Sequence, residues 1–474
     1  MKVKLLGHNN TYGITDVLRL FYSNVREDKE NNEALSSDAP DMTIISEVFE
    51  GRAYTYREGE PRPEVTDEFE LDPRRAVKKS FYKYLSDMTG TSYPWGCLTG
   101  IRPTIVAEEE GFDEDLLSRK YYVRDDKAKL ACITGRNERR ILEDIPKEDM
   151  GLYIGIPFCP SRCEYCSFIS ADATKHLGIL DKYEEALETE LSLIAGSLKR
   201  NISMVYIGGG TPTVLSDKTF EKLIAKVVTS LNISSGVEFT VEAGRPDTIT
   251  SYKLDVMKEA GVGRICINPQ TMRSETLAKL NRKHSAEDAV RVYKEASAKG
   301  FDVVNMDLIA GLKYERDEDF LYSLGKLLEL SPENITIHTL YKKRRASMGK
   351  DEVLDRDLSR GSVDDALRKG YEMLFDSGYI PYYMYRQKDT GHGLENTGFA
   401  RPGTECRYNV AMMTDRRDII SIGAGGMSKR IFDGGRYERC PCTKDVYEYI
   451  RNPNIMADKK IRFFEMQGGV KINE

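Results

Sequence analysis

The sequence predicts an α/β protein: a partial (β/α)6 barrel with an N-terminal α+β domain and a C-terminal helical extension. Three observations lead there. Six short apolar runs rich in β-branched and aromatic residues recur between residues 152 and 340. Helix-period stripes separate them. At 474 residues the chain is also too long for one compact domain, and usual domain sizes suggest about three.

Residues 1–146 form the first region. Val3–Leu6 reads as a strand, and Thr43–Phe49 with Ala53–Arg57 reads as a hairpin turning at Glu50-Gly51. Charged, helix-prone stretches follow to Glu143, and Pro146 with Lys147-Glu148-Asp149 reads as a linker. This region holds no catalytic constellation. From 151 to 345 the pattern is regular. The strand runs are Leu152–Phe158, Met204–Ile207, Glu238–Val241, Arg264–Asn268, Val303–Ile309 and Asn334–Leu340. Between them, Tyr183, Leu187, Leu191, Ile194 and Leu198 make the stripe of a helix covering a sheet. Ser285 with Asp288 resembles a capping box opening a helix that Gly300 closes. Strand and helix alternating six times imply a parallel sheet with right-handed crossovers and chemistry at the carboxyl ends of its strands. Six units fall short of a closed eight-stranded barrel. Residues 346–474 mix helical and irregular segments with a Gly-rich run at Gly423-Ala424-Gly425-Gly426, and are expected to close the open side of the barrel.

Composition narrows the function classes. A 40% hydrophobic, 31% charged chain is globular and needs no disulfide staples. A net charge of -6 and a pI near 5.7 argue against a nucleic-acid partner. No run reaches the length of a membrane span, and Met1–His8 has no sustained apolar core. Nine cysteines without a secretory signal point to a reducing compartment, so the expected location is the cytoplasm.

The strongest signal is Cys159-Pro-Ser-Arg-Cys163-Glu-Tyr-Cys166, a C-x3-C-x2-C triplet at the end of the first barrel strand. Soft thiolates on one short loop suit an iron–sulfur cluster. Three cysteines leave one iron of a cubane without a protein ligand. S-adenosylmethionine (SAM) can chelate it through its amino and carboxylate groups and be split by an electron from the cluster. A structural zinc site would call for a second cysteine pair, and none of suitable spacing follows.

Other residues converge on the same strand ends. Gly208-Gly209-Gly210-Thr211-Pro212 closes the second strand, and its successive N–H groups form a nest for the SAM carboxylate. Glu242, Gln270 and Asp307 end the third, fourth and fifth strands, where they can meet the ribose hydroxyls or the ammonium. Arg282 is suited to pair with the carboxylate.

Together these residues resemble the oxygen-independent coproporphyrinogen III oxidase family of radical SAM enzymes over residues 151–435. The motifs are Tyr153-Ile154-x-Ile156-Pro157-Phe158-Cys159, Gly208 to Pro212, Asp307-Leu308-Ile309-x-Gly311-Leu312 and Gly423-x-Gly425. The N-terminal region and Tyr383-Met384-Tyr385-Arg386-Gln387 are most similar to its HemZ-type branch. The resemblance implies a [4Fe–4S] cluster on Cys159, Cys163 and Cys166, and SAM contacts from Gly209, Gly210, Thr211, Glu242, Gln270, Arg282 and Asp307. It implies an oxidoreductase of haem biosynthesis that converts two propionates of coproporphyrinogen III to vinyl groups. An external electron donor and an external acceptor would serve it. The chain has Gly155 where the best-characterised oxidases carry histidine, and Phe168 where they carry a fourth cysteine. Alternation along the first strand puts Tyr153 on the face of Gly155, so Tyr153 is the candidate proton donor. A haem-trafficking branch resembles Asn396–Asn409 but has histidine at Tyr408, and a haem-cleaving methyl-transferring relative is a further alternative.

Several features carry less. Lys342-Lys343-Arg344-Arg345 is either a docking cluster for a carboxylate-rich substrate or a solvated turn. Cys440-Pro441-Cys442 is too small a set to fix a metal, and Cys97, Cys132 and Cys266 read as small buried hydrophobes. Cys406 beside Arg407 is a candidate low-pKa thiol. His8, His176, His284, His338 and His392 share no metal-binding spacing.

Overall fold

The computed structural model describes residues 1–63, 72–100, 102–166, 171–175, 177–231, 236–340, 363–386 and 393–465. Phe168, His176, Lys342–Arg345, Gln387 and His392 lie outside the described residues. Two compact units form, one from 1–136 with 384–396, the other from 137–383 with 397–474.

The first unit holds a five-stranded sheet of β1 (Lys2–Leu6), β2 (Val25–Asp28), β3 (Glu33–Ser36), β4 (Thr43–Phe49) and β5 (Arg52–Arg57), in the order β2-β3-β1-β4-β5. The hairpin forms where alternation put it. Ile44 pairs with Arg57 and Phe49 with Arg52, and Glu50 and Gly51 turn with φ of 47° and 78°. Five helices accompany the sheet: α1 (Thr11–Phe21), α2 (Pro73–Thr89), α3 (Pro103–Glu109), α4 (Glu114–Tyr121) and α5 (Asp125–Glu143), the last running on past Arg136. The unit is discontinuous, unlike the contiguous 1–146 of the sequence. Glu395 is fully buried, accepts from Trp95 Nε1 at 2.7 Å and pairs with Lys127 at 2.6 Å. Side-chain pairing between distant segments leaves no local signature.

In the second unit the six expected strands are β6 (Met150–Ile156), β9 (Ile202–Gly209), β10 (Glu238–Gly244), β11 (Arg264–Ile267), β12 (Val303–Ala310) and β13 (Asn334–Thr339). The short pair β7 (Phe158–Cys159) and β8 (Ala171–Asp172) follows β6. All six pair in parallel and in sequence order, as a partial (β/α)6 barrel requires. The helices between them are α6 (Leu177–Ser197), α7 (Asp217–Leu231), α8 (Ser251–Glu259), α9 (Ser274–Lys279), α10 (Ala286–Ala298) and α11 (Asp317–Leu330). The α6 stripe is fully buried at Tyr183, Leu187, Leu191 and Ile194, and Ser285 with Asp288 forms the capping box of α10. Strand alternation divides the residues. Leu152, Ile154, Ile156, Val205, Ile207, Val241, Ile265, Leu308 and Ile337 join the apolar core. Their neighbours Tyr153, Tyr206, Glu242, Cys266, Asp307 and His338 share the opposite, interior face.

The C-terminal region is richer in strand than a helical extension. Besides α12 (Val363–Asp376), α13 (Arg407–Thr414), α14 (Val446–Arg451) and α15 (Pro453–Glu465) it supplies β14 (Ile380–Arg386), β15 (Glu395–Ala400), β16 (Asp418–Ile422), β17 (Met427–Ile431) and β18 (Tyr437–Pro441). β15 pairs antiparallel with β13, and β16 pairs parallel with β6. The extension thus lengthens the sheet at both edges, in the order β14-β15-β13-β12-β11-β10-β9-β6-β16-β17-β18. Runs of five to seven residues are too short for periodicity alone to separate strand from helix.

Candidate active site

β6 passes through Pro157 into β7, and the cysteine loop that follows is clipped to the end of β9. The Gly210 N–H donates to Ile156 O and the Thr211 N–H to Phe158 O, each at 2.7 Å. Thr211 Oγ1 lies 3.6 Å from Cys159 Sγ, within donating reach of the thiol. Glycine is required here: Gly209 has φ 112°, and a Cβ on Gly210 would stand 2.4 Å from Phe158 O. The anion nest expected from this motif does not form. The Gly209 amide is held by Glu242 Oε2 at 3.3 Å, and the next two are taken by the loop carbonyls. With these donors engaged, what the motif has left to offer is carbonyl oxygen.

A second set of clips comes from residues that sequence reasoning missed. Arg245, buried after β10, makes a bidentate pair with Asp247 at 2.9 and 2.8 Å and donates to Ser161 Oγ at 2.6 Å. Ser161 Oγ in turn donates to Asn281 O at 3.1 Å, and Asn281 Nδ2 donates to Arg162 O at 2.9 Å. His284 Nδ1 lies 3.6 Å from Asp247. Together, His284 and Arg245 outweigh the effect of burial and hold the Asp247 carboxyl well below its usual range. The available signal was Gly244-Arg245-Pro246-Asp247, a cation and a carboxylate sharing the turn beyond a site strand.

Arg282 also reaches the cysteine loop. It donates to Tyr165 OH at 2.8 Å and Asn268 O at 2.6 Å, and its Nη1 lies 3.8 Å from Cys163 Sγ. Gln270 sits on the bridge from β11 to β12 with φ 70°, a left-handed conformation costly for a residue with a side chain and typical of functional sites. Asn268 Oδ1, Gln270 Oε1 and Arg282 Nε are buried without a hydrogen-bond partner. Buried polar atoms rarely stay unpaired, so these fit a polar ligand beside the loop. Among the described residues no three His, Cys, Asp or Glu side chains converge on one ion. A cubane asks for less, because each thiolate binds a different iron.

The interior face carries three tyrosines and two carboxylates. Tyr206 and Tyr408 stack at 4.5 Å between centroids, with Tyr153 at 6.3 and 6.4 Å from them. Tyr153 lies on the face of Gly155, as expected: a Cβ there would be 3.3 Å from its ring. Burial and the Glu242 charge push the Tyr153 phenol far up. Tyr206 donates to Glu242 Oε1 at 2.6 Å. Burial and the charge of Asp307 push Glu242 up to about 7, against the hydrogen bonds from Tyr206 and Gly209. Asp307 accepts from Asn305 Nδ2 at 2.7 Å and faces His338 Nε2 at 3.5 Å. Cys406 is not a low-pKa thiol: burial and Glu238, at the start of β10, push it up to about 12. Cys440 and Cys442 are buried and likewise pushed up by desolvation.

A strand-end cysteine triplet on a partial barrel defines a class, the radical SAM enzymes, and residues 153–327 match the model of that superfamily. The chain is 33% identical over 450 residues to the oxygen-independent coproporphyrinogen-III oxidase-like protein HemZ of Bacillus subtilis, covering 91% of this chain and 89% of that one. It is 31% identical over 314 residues to the heme chaperone HemW of Escherichia coli, covering 66% and 78%. The coproporphyrinogen III oxidase HemN of Escherichia coli, described as a radical SAM enzyme, shares the fold with a TM-score of 0.52 and 23% identity over 67% of this chain and 72% of that one. The chain therefore belongs to the radical SAM superfamily, in the coproporphyrinogen III oxidase family and its HemZ-type branch. Its cofactors are the family's [4Fe–4S] cluster and SAM. No described helix is long and apolar enough to cross a membrane.

Proposed function

We propose that the chain is an oxidoreductase of tetrapyrrole metabolism that decarboxylates two propionates of coproporphyrinogen III to vinyl groups without oxygen. One observation carries the reading: a three-thiol loop clipped by Thr211, Arg245 and Arg282 beside unpaired buried polar atoms, in a chain similar to HemZ over nearly its whole length. Cys159, Cys163 and Cys166 hold the cluster, and Arg282 and Thr211 donate towards its thiolates. Glu242 and Asp307 receive the amino group and ribose of SAM. Gln270 supplies its unpaired amide oxygen, and Gly209 and Gly210 their carbonyls. When bound, the cluster supplies the electron that splits the SAM sulfonium and so starts hydrogen removal from the substrate. Tyr153, its phenol held neutral by burial and the Glu242 charge, donates a hydrogen bond near the propionate.

The similarity to heme chaperones supports a second reading, haem handling on the same scaffold. Against it, Tyr408 stands where that branch has histidine. It is buried in the stack with its hydroxyl unpaired. The test is anaerobic incubation of reconstituted protein with SAM, reductant, an electron acceptor and coproporphyrinogen III. Protoporphyrinogen IX and 5′-deoxyadenosine should form together. Stoichiometric haem binding with no turnover would overturn the oxidase reading in favour of the second.

A further inference from the structure

β16 runs parallel to β6, and the ladder between them ends at Ile422 and Ile154. Beyond it the turn Gly423-Ala424-Gly425-Gly426 lies at the carboxyl end of β16, beside the end of β6 that leads into the cysteine loop. Two side chains about two turns apart on one face of α6 take over where the ladder stops. Tyr183 OH donates to Gly155 O at 2.7 Å and accepts from the Ala424 N–H at 2.9 Å. Glu190 Oε2 accepts from the Gly423 N–H at 3.0 Å and from Tyr449 OH at 2.5 Å, while Oε1 pairs with Lys460 of α15. On the other side, the Gly425 N–H donates to Thr443 O at 2.7 Å and the Cys442 N–H to Gly426 O at 2.9 Å. The Glu190–Lys460 pair is fully buried. Apolar residues of similar volume in place of such a pair are often neutral or stabilising, so stability alone does not call for these charges. What the carboxylate does that a hydrocarbon cannot is accept the Gly423 N–H.

The turn so held brings a backbone acceptor to the site. The position that a Cβ would take on Gly155, on the interior face, lies 3.3 Å from the Tyr153 ring and 3.6 Å from Ala424 O. The Ala424 carbonyl therefore borders the space that Gly155 leaves open beside Tyr153, and among the described residues no donor reaches it. We infer that Glu190 and Tyr183 are positioning residues, which hold the Ala424 carbonyl in place to accept a hydrogen bond from a pyrrole N–H of the tetrapyrrole substrate. The inference rests on the proposed function, which puts that substrate beside Tyr153. The adenine amine of SAM is a second N–H donor, and the sheet order tells against it. Glu242, Gln270 and Asp307, the residues proposed for SAM, lie from β10 to β12, whereas Ala424 follows β16 on the far side of β6. A carbonyl fixed by bonds on both sides of its turn loses little freedom when a donor arrives, and such preorganisation is where binding gains most.

The experiment compares wild type with three variants of the reconstituted protein. Glu190→Leu/Lys460→Met removes both charges together and with them the acceptor for Gly423. Glu190→Gln/Lys460→Met removes the charges and keeps an acceptor. Tyr183→Phe removes only a hydroxyl. Iron content, melting temperature and SAM affinity are measured first, then kcat and KM for coproporphyrinogen III. Glu190→Leu/Lys460→Met and Tyr183→Phe should each raise that KM about tenfold with little change in kcat, the pattern of lost binding rather than lost chemistry. Iron content and SAM affinity should not change. Glu190→Gln/Lys460→Met should keep KM within about threefold of wild type. If Glu190→Leu/Lys460→Met loses its fold, Tyr183→Phe decides alone. An unchanged KM in Tyr183→Phe, or in a folded Glu190→Leu/Lys460→Met, would overturn the inference. So would an equal rise in Glu190→Gln/Lys460→Met, since the acceptor would then be irrelevant. A fall in SAM affinity would overturn it too, by giving the carbonyl to the adenine amine. A wild type that turns over no coproporphyrinogen III would sink the functional reading itself, and shows in the first kinetic run.

Discussion

Replacing Arg245 by Met tests whether the cysteine loop is pre-set for its cluster by the turn after β10. The guanidinium is 3% exposed and holds Asp247 through two bonds and Ser161 Oγ through a third. A hydrogen bond from a charged group contributes about 1.5–3 kcal/mol. If the Ser161 bond holds the loop in its binding geometry, losing it lowers iron affinity by about 10- to 150-fold, at 1.4 kcal/mol per tenfold. The Asp247 pair has a separate cost. Methionine leaves that partly buried carboxylate with only His284, and breaking a buried pair destabilises the fold by about 3–5 kcal/mol. Ser161→Ala isolates the first effect, because Arg245 and Asp247 remain paired. The assay is iron release to a chelator, measured in the cold where every variant is folded by circular dichroism. Ser161→Ala should release iron at least about tenfold faster with little change in melting temperature. The double variant should release iron no faster than Arg245→Met. Additive effects would show that the two residues act separately and refute the clamp. Wild-type release from Ser161→Ala would do the same.

Each of Cys159→Ala, Cys163→Ala and Cys166→Ala should abolish SAM cleavage under dithionite. The triple variant should hold no cluster iron, and retained iron with cleavage would place the cluster elsewhere. Arg282→Ala should lower both iron retention and SAM affinity, since its Nη1 lies 3.8 Å from Cys163 Sγ. Asp307→Ala should keep its iron and weaken SAM binding by about 10- to 150-fold, and an unchanged SAM titration would remove Asp307 from the site. Tyr153→Phe should lower decarboxylation by about 10²–10³-fold relative to uncoupled SAM cleavage, and equal rates would rule out the hydrogen-bond-donor role. Glu242 stands near 7 in the fold against an ordinary 4.5, so folding favours its protonated form. Apo-protein stability should therefore fall as pH rises from about 5 to 8, Glu242 contributing up to about 3 kcal/mol, and Glu242→Gln should reduce that slope, leaving the part due to Glu184, which burial also pushes up to about 7.

The barrel was legible because its signals are local. Each expected strand has its ends within three residues of an observed one, and the Ser285–Asp288 box is a four-residue pattern. The cysteine triplet was legible for the same reason. The failures share a cause of the opposite kind. Nothing near Gly209 in sequence says that Ile156 and Phe158 will reach its neighbours' amides before a ligand can. Nothing near Arg282 says that Tyr165 and Cys163 will claim its guanidinium. Arg245 was overlooked because its partner Ser161 is 84 residues away. The strands β14 to β18 were hidden because neighbours in a sheet continued outward from β13 and β6, rather than their own periodicity, make them strands.

The interior charges also set an order of events. Glu242 and Asp307 face the same space, and the charge of Asp307 helps raise Glu242. Among the described residues the cations nearby are otherwise committed. Arg245 and Arg282 serve the cysteine loop, and Arg264 is spent on Asn334 and Thr404 where the strands begin. His338 Nε2 faces Asp307 at 3.5 Å. Two carboxylates in one partly buried space do not both ionise readily unless a cation joins them. A porphyrinogen with four carboxylates cannot supply that cation, whereas SAM, with its sulfonium, can. SAM binding should therefore draw a proton from Glu242 below about pH 7 and tighten as pH rises through that range. Under the proposed function, the anionic porphyrinogen then meets an interior whose negative charge the sulfonium has partly offset. Binding in the order SAM first, porphyrinogen second is therefore expected under the proposed function. A porphyrinogen affinity unchanged by a SAM analogue would contradict it.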